Sequence, residues 1–125
     1  LEAFLDRTGP FNAGFLWDLV VTFPGVGRDD GGGWRVKEEG KMLLARVRGE
    51  CTGLVRIELL VYGPGARELV EADLDVDGSA REVFSKADEH LRGVRSLERI
   101  ALRVLRGSAS PSVKDFVQEF GWVVY

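Results

Sequence analysis

The hydrophobic pattern of this chain changes period part-way along, and that change limits the folds open to it. Up to Tyr62 apolar residues tend to alternate with polar ones; after Ser79 they recur every three or four. Residues 15–23 place Trp17, Leu19, Val21 and Phe23 on one face, the spacing of a half-buried strand. Residues 54–62 repeat the pattern, with Val55, Ile57, Leu59 and Val61 on one face and Arg56 and Glu58 on the other. Residues 34–36 and 42–48 read as shorter strands, and residues 68–72 as an edge strand. Residues 24–33 hold five glycines and two aspartates and read as an exposed loop. Strands with one polar face, joined by turns, predict an antiparallel meander.

The later pattern is helical. Ser79-Ala80-Arg81-Glu82 has the form of a capping box, and Ala80, Val83, Phe84, Ala87 and Leu91 follow on one face. Gly93 is placed to end that helix. A second helix is predicted from Ser96, with Leu97, Ile100, Ala101 and Val104 along one side. A third starts with Ser110 as N-cap and Pro111 at its first position. Its apolar face is Val113, Phe116, Val117 and Phe120; Gly121 ends it, and residues 122–125 read as extended. The expected fold class is α+β: a curved antiparallel sheet with two to three helices packed on one face.

The residues that carry chemistry are few. His90 is the one histidine and Cys51 the one cysteine, so neither a catalytic triad nor a typical zinc site can be assembled. His90 near a helix C-terminus meets the helix dipole, and Cys51 reads as a bystander thiol. A lone cysteine fits a reducing cytoplasm, the expected location. Asp73, Asp75 and Asp77 resemble half of a calcium loop but lack the closing Glu, and read as a charged loop before a helix. Gly31-Gly32-Gly33 precedes a strand and lacks the ending of a phosphate loop. No catalytic, cofactor-binding or metal-binding residue is assigned, and no apolar run is long enough to span a membrane.

Charge is uneven. The net charge is −3, yet residues 92–106 carry five arginines and one glutamate, while residues 68–77 carry five acids and no base. On one continuous helix Arg95, Arg99, Arg103 and Arg106 form a stripe opposite Leu97, Ile100 and Val104, able to hold phosphates or a partner's carboxylates. These four are the candidate DNA or partner contacts. An acidic chain is a poor autonomous nucleic-acid binder.

Residues 74–117 carry a resemblance. Leu74-Asp75-Val76-Asp77, then Phe84, Asp88, Leu91, Leu102-Arg103-Val104-Leu105-Arg106, and Ser110-Pro111 follow in order. This resembles the end of the N-terminal, TBP-like domain of helix-hairpin-helix DNA glycosylases, the group of 3-methyladenine DNA glycosylase II and 8-oxoguanine glycosylase. Trp17–Phe23, Trp34-Arg35 and residues 41–48 resemble its early strands more loosely. The chain departs at Ala101, where the family has Gly, and at Gly78, Val113 and Lys114. The family's hairpin and catalytic Asp are absent from this sequence. The resemblance implies an extended crossing over residues 102–107 anchored by Leu102 and Leu105. It also implies a sheet-plus-helix domain over residues 1–110, with residues 111–125 beginning a helix toward a second, catalytic domain.

The implied function is a non-catalytic scaffold or DNA-contacting domain of a base-excision-repair glycosylase. The expected partners are a catalytic helix-hairpin-helix domain or subunit and, weakly, DNA. The alternative is a protein-interaction module in an unrelated α+β fold, docking through the Arg-rich helix and the apolar C-terminal helix. Exposed apolar surface near Phe116, Phe120, Trp122 and Val123 is expected to favour a homodimer. The sequence starts at Leu1 and its one methionine is Met42, as expected of a piece of a longer protein.

Overall fold

The computed structural model describes residues 17–76 and 78–125. Residues 1–16, which include the expected start of the first strand at residue 15, and Asp77 lie outside the described residues. The order is β1 (Asp18–Thr22), β2 (Val26–Arg28), β3 (Trp34–Val36), α1 (Glu38–Glu50), β4 (Arg56–Val61), α2 (Pro64–Val70), α3 (Gly78–Arg92), β5 (Arg99–Val104), α4 (Pro111–Glu119) and β6 (Val123–Val124). The fold is α+β, with four helices, a four-stranded sheet in the order β1-β4-β5-β6, and a small antiparallel β2-β3 ribbon.

The four-stranded sheet corrects the expected antiparallel meander, because each of its pairings is parallel. Three expected elements change for one reason. Residues 42–48 lie in α1, residues 68–70 end α2, and residues 99–104 form a strand instead of continuing a helix. Helices now separate the strands, and helical crossovers join parallel neighbours. Locally the sequence permits this. Residues 38–50 are mostly strong helix formers, with Gly40, Leu44 and Val47 buried at helical spacing and an Arg46–Glu50 ion pair at 2.9 Å. Pro64 opens α2 at a position where its missing N–H costs nothing. The run from Arg99 to Val104 satisfies either period; pairing with β4 buries Ile100, Leu102 and Val104 on the period of two.

The strand order never reverses. With the right-handed crossovers that parallel βαβ units adopt, a sheet that always steps the same way receives its helices on one face. The burial pattern agrees. Leu19, Val21, Ile57, Leu59, Val61, Ile100, Leu102 and Val104 are buried and join one core with Leu44, Leu69, Val83, Phe84, Leu91, Val113 and Val117 from the helices.

Two helix starts differ in detail. α3 begins at Gly78, so Ser79 lies inside the first turn rather than at the N-cap, and its Oγ accepts from the Trp34 backbone N–H at 2.8 Å. Ser110 caps α4 as expected: its Oγ accepts from the Val113 N–H at 3.3 Å and donates to the Ala72 carbonyl at 2.7 Å. α4 and β6 pack into the same core and the same sheet as the rest of the chain. Trp122, expected to be exposed, is buried, and its Nε1 donates to Asp88 Oδ1 at 2.8 Å. Asp88 also accepts from Arg92 Nε at 3.1 Å, and Arg92 donates onward to the Phe120 carbonyl, tying the end of α3 to the chain entering β6. Leu102 is buried as expected of an anchor, but Leu105 is exposed in the turn after β5.

Candidate functional site

The structure takes the arginine stripe apart. Arg95 lies in the turn before β5, Arg99 at its start, Arg103 near its end and Arg106 in the turn beyond. No helix carries them, so the expected Arg-rich helical surface is absent. The strand from Arg99 to Val104 runs about 17 Å at about 3.3 Å per residue, and Arg106 lies in the turn beyond it, so Arg99 and Arg106 lie at opposite ends of β5. Arg103 is already engaged: its Nε lies 2.9 Å from Glu58 Oε1, and its guanidinium sits 4.5 Å from the centre of the Tyr125 ring. Arg106 has φ 60°, and its carbonyl accepts from Arg67. Arg95 and Arg99 are exposed and make no ion pair among the described residues.

Arg99 belongs instead to the sheet face opposite the helices. The register aligns Asp18, Arg56 and Arg99 in one row, then Val20, Glu58, Ala101 and Val123, then Thr22, Leu60 and Arg103. Arg56 pairs with Asp18 at 3.2 Å. Val20 is 55% exposed, Leu60 is half-buried, and Tyr125 is 53% exposed. Among the described residues no helix covers this face.

The other singled-out residues have structural roles. Cys51 is fully buried, and burial, reinforced by Glu50, pushes its thiol above the usual range. Asp29 Oδ1 accepts from the Gly31 and Gly33 N–H groups, closing the turn between β2 and β3. Asp73 accepts from the Asp75 N–H, and Asp75 pairs with Arg81. Among the described residues no three His, Cys, Asp or Glu side chains converge on a metal-sized site. No helix among them is long and apolar enough to cross a membrane.

A second feature escaped sequence reasoning. A groove of about 690 Å³ opens between α1, β3 and α3, lined by Trp34, Met42, Ala45, Val83, Lys86 and His90 among others. Met42, 54% exposed on α1, marks it; with residues 42–48 read as a strand, that exposure carried no meaning. An unreversed parallel sheet has no switch-point crevice, the usual ligand site of open α/β sheets. The concavity therefore lies beside the sheet rather than at its strand ends. No protein-family model, curated protein or solved structure matches this chain.

Proposed function

We propose that this chain is a non-catalytic interaction module that docks another protein on the open face of its parallel sheet. One observation carries the reading: every pairing in the four-stranded sheet is parallel, and on the face opposite the helices Val20, Arg56, Arg99 and Tyr125 are exposed, with Ala101 buried at its centre. Parallel sheets are ordinarily covered on both faces. The docking route expected from the sequence is replaced, since Arg95, Arg99, Arg103 and Arg106 lie on no helix and Val113 and Val117 of α4 are buried in the core. The parallel sheet also differs from the antiparallel one that the glycosylase resemblance implies.

The face sets the partner's chemistry. Asp18–Arg56 and Glu58–Arg103 are internally paired, leaving Arg99 for a carboxylate of the partner and Val20 with Leu60 for apolar side chains. Strands of five, six, six and two residues, about 4.8 Å apart at about 3.3 Å per residue, present roughly 300 Å², under half of the ~800 Å² per partner of a standard interface. The interface therefore extends over the rim, where Trp17 is 75% exposed. The test is photo-crosslinking in cells that express the protein, with a benzophenone side chain at Val20 and, as control, at exposed Glu39 of α1. A discrete protein adduct from Val20 alone, lost on Arg99→Glu, is expected. Equal adducts from both positions, or none from Val20, refutes the proposal.

The second reading is a DNA-contacting scaffold of a base-excision-repair glycosylase, supported by the unpaired Arg95 and Arg99. Anisotropy with an abasic duplex at two salt concentrations separates it. Salt-sensitive binding that weakens on Arg99→Ala favours DNA; no binding at low salt removes it.

A further inference from the structure

We propose that the groove between α1, β3 and α3 binds a small amphipathic carboxylate, an apolar body of about ten carbons carrying one anionic group. Its volume, about 690 Å³, falls within the ~300–1,000 Å³ of small-molecule sites. Trp34 and Val83 give it an apolar floor, and the exposed Met42 and Ala45 an apolar wall.

Two of the lining side chains hold buried ring nitrogens with no hydrogen-bond partner: Trp34 Nε1 and His90 Nδ1. Buried polar groups are nearly always satisfied, and two exceptions in the lining of one groove call for a common cause. The indole N–H can only donate, so its missing partner is an acceptor. The rim chooses an anion over a neutral acceptor. Glu38 is matched by Lys41 at 4.0 Å, whereas Lys86 and Arg35 make no ion pair among the described residues, and the one other acid in the lining is Glu82. A carboxylate with an aliphatic or aromatic tail satisfies the donor, the cations and the apolar floor together. The orphaned nitrogens are sealed from solvent, so the groove lining must shift slightly for an oxygen to reach them. This inference rests on the groove alone and is independent of the docking role of the sheet.

The experiment titrates the ¹⁵N-labelled chain with decanoate below its micelle concentration and follows the three tryptophan indole N–H resonances. A saturable shift of the Trp34 resonance is expected, with Trp17 and Trp122 unmoved. Decanol, which has the tail without the charge, is expected to bind at least tenfold more weakly. Ala45→Trp places a bulky ring in the groove from an exposed helix position and is expected to abolish the shift while the backbone spectrum stays folded. Lys86→Glu is expected to weaken binding about tenfold. An unmoved Trp34 resonance, equal shifts at all three indoles, undiminished binding by Ala45→Trp, or decanol binding as tightly as decanoate overturns the proposal.

Discussion

Two glycines on α1 should respond oppositely to the same substitution. Gly40 packs where α1 meets the chain between β1 and β2. A methyl on it would lie 2.8 Å from Val36 Cγ1, 3.0 Å from Pro24 Cβ and 3.2 Å from the Gly25 backbone N. Gly49, near the other end of the helix, has nothing within 4 Å of the same position. Alanine in place of glycine stabilises a helix by about 0.5–1 kcal/mol. At Gly49 only that gain applies, reduced to about 0.5 kcal/mol because the last turn frays. At Gly40 the methyl must displace a β-branched side chain and backbone, and overpacking costs about 1–3 kcal/mol. The expected balance at Gly40 is a loss of about 1 kcal/mol, so the two variants differ by about 1.5 kcal/mol. With a urea slope of about 1–3 kcal/mol/M, that separates their midpoints by roughly 0.5–1.5 M. Equilibrium urea unfolding followed by far-ultraviolet circular dichroism reads it. A Gly40→Ala midpoint raised as far as that of Gly49→Ala would show that α1 does not approach Pro24 and Gly25 as described, and would refute the packing argument.

Ser110→Ala removes the N-cap of α4 and the hydroxyl bond to Ala72, and should cost about 1–2 kcal/mol, read as a lowered thermal midpoint. Trp122→Phe keeps an aromatic ring but takes the Nε1 donor from the largely buried Asp88; a loss of about 1.5–3 kcal/mol in urea unfolding is expected, and an unchanged midpoint would show that the bond contributes nothing. Cys51 should react with a disulfide reagent only on unfolding. Because burial raises its folded-state value above the unfolded one, its stabilising contribution is complete below the unfolded thiol's pKa, about 8.5, and fades as pH rises through the folded value. Cys51→Ala should therefore flatten the alkaline fall in stability, and an unchanged alkaline limb would count against it. Arg103→Ala breaks an ion pair whose arginine is 44% exposed, so at most about 1 kcal/mol should be lost.

The elements legible in the sequence were those with a local signal of their own. α3 follows its run of Ala80, Val83, Phe84, Ala87 and Leu91, and α4 follows Ser110-Pro111. β1 and β4 follow the alternation of Leu19 with Val21 and of Ile57 with Leu59 and Val61, which correctly separated Arg56 and Glu58 onto the other face. That same alternation misled the pairing. One polar face is usual for antiparallel sheets, and here it belongs to a parallel sheet with no helix over that face among the described residues. α1 and β5 were misread because short apolar runs fit two periods at once. The arginines were misplaced with β5, and the groove beside α1 was hidden with α1.

The sequence alone determined which residues are apolar, where chains of this pattern cap and turn, and that one histidine and one cysteine build neither a catalytic triad nor a typical zinc site. Those are properties of single residues and their near neighbours. Tertiary structure decided the parallel pairing of β1, β4, β5 and β6, the divorce of Arg99 from Arg106, and the meeting of Trp34 with His90 along one groove. Each depends on residues far apart in the chain, and the spacing of side chains along a segment carries no record of which segment it will lie against.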